Sequence, residues 1–128
     1  MRLLADTHTL LWFLQGDKRL SKKAATLLES PESLVFVSIA SVWEIAIKIS
    51  LQKLRISYSL DKDLPQLLQD CGFHLLPVSF AHVARISSLP FHHRDPFDRL
   101  LIAQALIENL RIVTQDPQFS AYNVDVVR

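Results

Sequence analysis

The chain is poor in the residues that announce a bound cofactor or a stapled scaffold. It has two glycines, Gly16 and Gly72, too few for a Gly-rich phosphate loop or a dinucleotide fingerprint. Its one cysteine, Cys71, excludes an internal disulfide framework and suits a reducing cytosol. Cys71-Gly72-Phe73-His74 has ligand-like spacing but no second pair, so no zinc site is expected. No apolar run reaches membrane-spanning length, and no charged-then-apolar leader opens the sequence. A net charge of +1 means no global basic field, so any polyanion site must be local. There is no internal repeat, low-complexity tract or linker. What remains is 128 residues, 49% hydrophobic, enough for one globular domain over residues 1–128.

Periodicity divides that domain into strands and helices. Arg2 to Ala5 reads as a buried strand, followed by a helix from Thr9 to Gln15 that Asp6 or Thr7 caps and Gly16 stops. Trp12, Phe13 and Leu14 are consecutive and span about 200° of that helix, an arc to be covered by a partner segment or a second copy of the chain, or from within by Leu54 to Leu60 or the Asp61 helix. Ser21 caps a helix to about Glu29. Lys18, Arg19, Lys22 and Lys23 cluster there, either as a solvated helix start or as an RNA contact. Leu34 to Val37 is a second strand, and Ser38 or Ser41 caps a helix to about Gln52. Leu54, Ile56, Tyr58 and Leu60 alternate as in an extended or edge segment. Asp61 can cap a helix over Leu64 to Asp70, His74 to Val78 forms a strand, and Ser79 caps a helix from Ala81 to about Ser88. Asp95 and Pro96 open a long helix to Asn109. Strands at Arg111 to Thr114 and Val124 to Val127 complete the order, which predicts an α/β fold with a central, mainly parallel sheet flanked by helices.

Acidic residues gather where such a sheet collects ligands, beyond the carboxyl ends of its strands. Asp6 and Asp116 follow strand ends. Glu44 and Asp98 are expected in first helical turns. Asp98 shares its helix face with Leu101, Ile102 and Ala105, so its carboxylate must be paired, protonated or metal-bound there. Simpler readings stand beside this one. Asp98 can complement a helix N-terminus, and Glu44 can close a capping box with Ser41 or pair with Lys48. Four carboxylates at one point repel unless a cation lies between them. Hard divalent ions, Mg²⁺ or Mn²⁺, are the natural partners, and they support in-line displacement at phosphorus. Lys48, Arg94 and Arg99 flank the acids as candidate phosphate contacts, while His92 and His93 read as satisfied polar groups.

Two other phosphate chemistries fit less well. An aspartyl-nucleophile phosphatase would place a second acid two residues after Asp6, where His8 stands. A phospho-receiver would need an acceptor Asp after its middle strand, where Ser38 or Ser79 stands. A non-catalytic binding module, its acids serving as caps and ion pairs, remains the alternative.

The ordered pieces Leu3-Leu4-Ala5-Asp6-Thr7-His8, Ser38-Ile39-Ala40-Ser41-Val42-Trp43-Glu44-Ile45, His93-Arg94-Asp95-Pro96-Phe97-Asp98-Arg99-Leu100-Leu101-Ile102-Ala103-Gln104-Ala105 and Val113-Thr114-Gln115-Asp116 carry a resemblance. Together they resemble the PIN domain, specifically the VapC-type toxin ribonucleases of toxin–antitoxin pairs, over essentially the whole chain. The resemblance implies a three-layer fold and a Mg²⁺- or Mn²⁺-dependent cytoplasmic endoribonuclease. It also implies an RNA substrate, an inhibiting antitoxin and assembly into homodimers. Carried over by position, Asp6, Glu44, Asp98 and Asp116 match the acidic quartet as catalytic metal ligands. Thr114 matches a small hydroxyl residue supporting the last acid, and Asp95 a support beside the ligands.

Overall fold

The computed structural model describes residues 1–128. Its elements in chain order are β1 (Arg2–Ala5), α1 (Thr7–Gln15), α2 (Lys22–Glu29), β2 (Leu34–Ser38), α3 (Ile39–Ser50), α4 (Asp63–Asp70), β3 (His74–Leu76), α5 (Phe80–Ile86), α6 (Pro96–Glu108), β4 (Arg111–Val113), a 3-10 turn (Pro117–Ala121) and β5 (Val126–Val127). The strands form one sheet in the order β3-β2-β1-β4-β5. Every pairing is parallel, where the sequence pattern implied only a mainly parallel sheet. Leu3, Ala5, Val35, Val37 and Val113 face one apolar cluster shared with α1, α2 and α4, while Leu4 and Ile112 face another shared with α6. Alternation along each strand therefore feeds two cores, giving three layers.

The chain winds outward from β1 through β2 to β3, then returns to place β4 on the other side of β1. The sheet thus reverses its strand order between β1 and β4, and parallel α/β sheets open a crevice at such a point. Asp6 leaves β1 there, its backbone N–H donating to the Val113 carbonyl at 3.2 Å.

Local chemistry explains where several boundaries differ from the sequence pattern. Asp6 is the N-cap of α1, accepting from the Thr9 N–H, so the helix starts at Thr7 rather than Thr9. Ser38, not Ser41, caps α3 by accepting from the Ala40 N–H. Glu44 therefore lies in the second turn and not the first, and the Ser41–Glu44 capping box does not form. Asp61 does not cap α4. Ser59 and Asp63 exchange bonds instead, the Asp63 N–H donating to Ser59 Oγ at 3.0 Å and the Ser59 N–H to Asp63 Oδ2 at 2.8 Å. The alternating stretch from Leu54 to Leu60 forms no strand. Its apolar residues turn inward onto the first core without joining the sheet. That packing also answers the apolar arc of α1. Trp12, Phe13 and Leu14 are half-buried against the same cluster, which includes Leu64 and Leu68 of α4. The chain largely covers this arc from within, by the Leu54–Leu60 stretch and α4, the alternative to a covering partner.

Gly16 ends α1 at φ +64, and a methyl group in place of its hydrogen would meet nothing within 4 Å. Gly16→Ala should therefore cost only the left-handed backbone penalty, about 1 kcal/mol. Urea unfolding of the two proteins measures it; a loss well above that would reveal a steric role for the position.

Candidate active site

The acids converge on the β1–β4 crevice because each begins, or sits near the beginning of, an element that starts there. Asp6 is 5% exposed. Its Oδ1 accepts the Thr9 N–H at 2.8 Å and its Oδ2 accepts the Thr114 hydroxyl at 2.5 Å. Burial pushes its pKa above the ordinary carboxylate value, and these donors pull against the rise. Thr114 Oγ1 in turn accepts the Asp116 N–H at 3.0 Å. One hydroxyl thus ties the acid after β1 to the backbone of the acid after β4. Asp116 itself caps the 3-10 turn, accepting the Gln118 N–H at 2.9 Å.

Glu44 is 6% exposed and is held by two groups. The Thr7 hydroxyl donates to its Oε1 at 2.7 Å, and Lys48 Nζ lies 2.9 Å from its Oε2. Thr7 Oγ1 also lies 3.0 Å from Ser41 Oγ. Sequence pattern marks Thr7 and Ser41 only as possible caps, whereas here the Thr7 hydroxyl links Ser41 to Glu44. The available signal is the hydroxyl directly after Asp6. Lys48, a candidate phosphate contact by position, forms the i,i+4 ion pair with Glu44 that its spacing also allows.

Asp98 is pushed up to about 8, first by burial, then by the charges of Asp95, Glu44, Asp116 and Asp6. That ordering is the electrostatic trace of four acids around a fifth. Its Oδ2 lies 3.3 Å from His93 Nε2, and His93 Nδ1 lies 2.8 Å from the Tyr122 hydroxyl. His93 and Tyr122 are residues that spacing does not reveal as part of the site. Asp95 is the N-cap of α6, its Oδ1 accepting from the Phe97 and Asp98 N–H groups. It thus orients the first turn that carries Asp98. Arg94 is exposed beside this cap.

Arg99 departs from the expected phosphate contact. It is buried, and its guanidinium donates to the Pro90 carbonyl at 2.9 Å and the Tyr122 hydroxyl at 3.1 Å. Packed 4.5 Å from the Phe91 ring centre, it braces the loop before α6 instead of facing substrate.

No three of the acids and histidines converge within coordination distance of one point; each carboxylate faces donors of its own. The donor set nevertheless suits a hard divalent cation. It is all carboxylate oxygen, and Asp98 sits where positive charge is wanted. Asp6, Asp116, His8, Trp12 and Gln115 line a cavity of about 230 Å³ at this edge.

Comparison with known proteins bears on the family and the fold. The PIN domain profile matches residues 3–124. Ribonuclease VapC22 of Mycobacterium tuberculosis is 29% identical over 122 residues, 94% of this chain and 91% of that protein. VapBC2 from Rickettsia felis, solved bound to a DNA fragment from its promoter, superposes with a TM-score of 0.73 at 14% identity, covering 99% of this chain and 98% of that one. A toxin–antitoxin complex from Klebsiella pneumoniae gives a TM-score of 0.65 at 18% identity, covering 98% and 96%.

The raised Asp98 pKa makes stability pH-dependent. Its folded value of about 8 exceeds the ordinary 3.8, so folding favours the protonated form. This stabilisation is complete below about pH 4 and is lost as pH rises through about 8. Asp98→Asn should therefore melt above the metal-free parent at alkaline pH, with the gap closing toward pH 4. Melting curves across that range test it; a variant less stable at every pH would leave Asp98 as a simple helix-terminus acid.

Proposed function

Because the chain belongs to the PIN domain family, we propose that it is a Mg²⁺- or Mn²⁺-dependent endoribonuclease and the toxin of a toxin–antitoxin pair. The observation that carries this reading is the crowding of Asp6, Glu44, Asp95, Asp98 and Asp116 at the sheet's switch point, registered in the raised pKa of Asp98. Capping accounts for Asp6, Asp95 and Asp116. Glu44 is no cap, but buried in the second turn of α3 it pairs with Lys48, so what weighs against a purely structural acid set is the gathering of the other four acids around Asp98.

Asp6, Glu44, Asp98 and Asp116 would hold the cation, with Thr114 fixing the Asp6 carboxylate and Thr7 that of Glu44. When bound, a divalent ion supplies an acidified water and offsets charge gathering on the phosphate oxygens. The protein's own part is to orient. The two threonine hydroxyls keep the carboxylates in fixed rotamers, and the Lys48 ammonium offers positive charge at the rim. Hydrolysis forms a bond from water oxygen to phosphorus and breaks one ester P–O bond. The departing ribose oxygen takes a proton, and no covalent protein nucleophile is required.

An antitoxin and a second copy of the chain are the partners this reading assigns. Apolar side chains remain uncovered for them: Trp43 at 58%, Phe80 at 91% and Phe91 at 73% exposure. No helix is long and apolar enough to cross a membrane, and the reading places the enzyme in the cytoplasm with its RNA.

Asp6→Asn keeps a side-chain oxygen for the Thr9 cap and removes the charge. It should lower cleavage of RNA in Mn²⁺ by at least about a thousandfold, roughly 4 kcal/mol at the transition state, while the variant still folds. Wild-type cleavage by this variant would refute the metal-ligand assignment.

A further inference from the structure

A second cavity adjoins the acids and shares a wall with them. It encloses about 270 Å³ and is lined by His8, Trp12, Arg19, Lys48 and Lys53 among others. His8 and Trp12 also line the cavity that holds Asp6 and Asp116. The two cavities are therefore neighbours, one lined by acids and the other by cations, with His8 and Trp12 at the wall between them.

The chemistry of the cationic cavity is specific. The Trp12 ring lies 5.0 Å from the Arg19 guanidinium and 5.7 Å from the His8 ring centre. Arg19 does not swing freely: its Nε and Nη2 donate to the Asp17 carboxylate, with Nη2···Oδ2 at 2.7 Å. Asp17 also accepts the Arg19 N–H at 2.9 Å. This exposed ion pair keeps the guanidinium beside the indole without burying it there, so a ligand can displace it from the ring. Lys48 is shared with Glu44, but the chain's ion pairs leave Lys53 free. In the acidic cavity, Gln115 Nε2 is buried without a partner, a donor suited to a phosphate oxygen. An indole flanked by a guanidinium and an imidazole, with ammonium groups alongside, is what unpaired bases and their phosphates engage.

We propose that this cavity is a nucleotide subsite for single-stranded RNA. Trp12 is its stacking surface, Lys53 and Arg19 contact the backbone, and the nucleotide it holds lies next to the phosphodiester at the acids. The proposal rests on the nuclease reading and extends it from chemistry to substrate placement. It also requires the substrate to be unpaired here, because a base inside a duplex has no free face for Trp12. Trp12, Arg19 and Lys53 are positioning residues, so their loss should act on KM far more than on kcat.

Trp12 and Trp43 are the two tryptophans, so Trp43→Phe leaves Trp12 as the reporter. In EDTA, a short mixed-sequence single-stranded RNA should quench its fluorescence saturably, while a duplex of that sequence and poly-glutamate should not. Lys53→Glu should weaken that binding about tenfold. In Mn²⁺, Trp12→Ala and Lys53→Glu should each raise KM for RNA about tenfold and change kcat by no more than about twofold, with Trp12→Phe restoring most of the loss. Should Trp12→Ala fail to fold, Lys53→Glu, Trp12→Phe and the quenching titration still decide the matter. Cleavage of RNA with no quenching and unchanged KM in Lys53→Glu overturns the subsite and leaves the nuclease reading standing. Saturable quenching by RNA without any wild-type cleavage keeps the subsite and sinks the nuclease reading. Equal quenching by poly-glutamate, or by the duplex, overturns the proposal in favour of an acidic protein segment or a duplex groove.

Discussion

The Asp6 carboxylate is removed from water at the end of a central strand, where its charge is costly unless donors or a cation face it. Much of the surrounding architecture meets that constraint. The Thr9 N–H caps one oxygen, and Thr114 reaches across from the neighbouring strand to the other. The same contact requires β4 to lie beside β1 in register, Ala5 opposite Val113. The crossover that reverses the strand order is therefore also the device that brings Asp116 to Asp6. A shift of that pairing by one residue would turn the β4 side chains to the opposite face and separate Thr114 from the carboxylate it supports.

How can so many acids share one edge? Part of the answer is the direction of the helices. α1, α6 and the Pro117 turn all begin at the crevice, with Asp6, Asp95 and Asp116 as their N-caps. Each aims unpaired N–H groups, and for the helices the positive end of the dipole, at the carboxylates. Asp98 occupies the first turn of α6 and shares that field. Capping therefore does not exclude the metal-binding role proposed for these residues. The caps lower the cost of holding negative charge at one edge. Glu44 lies too far along α3 for this help and draws on Lys48 and Thr7 instead.

This explains which parts of the site are legible in the sequence. Asp6, Asp95 and Asp116 can be read because a cap is a short-range signal: an acid, a change of periodicity, and Pro96 or Pro117 directly after the last two. The parallel sheet follows from strands separated by helices. Ser38 and Ser41 are both hydroxyls with apolar residues behind them, so pattern alone does not choose the start of α3, and it places Glu44 one turn early. Arg99, His93 and Tyr122 are opaque for a different reason. Their contacts join residues 23 and 29 positions apart, and nothing local distinguishes a buried arginine that braces a loop from one that reaches for phosphate. The Leu54–Leu60 alternation is a true burial signal attached to the wrong backbone geometry.

The bracing network couples loop order to the electrostatics of the acids. Tyr122 accepts from Arg99 and contacts both the ring and the backbone N–H of His93, while His93 faces Asp98. If His93 carries its proton on Nε2, it donates to Asp98 and accepts from Tyr122 at Nδ1, so the chain of hydrogen bonds is internally consistent. Arg99 then acts at a distance, by holding the phenol that sets the imidazole that faces the acid. A carboxylate that titrates at about 8 responds strongly to small changes in the donors around it. Positioning by a buried guanidinium is more exact than a flexible side chain at the surface would allow.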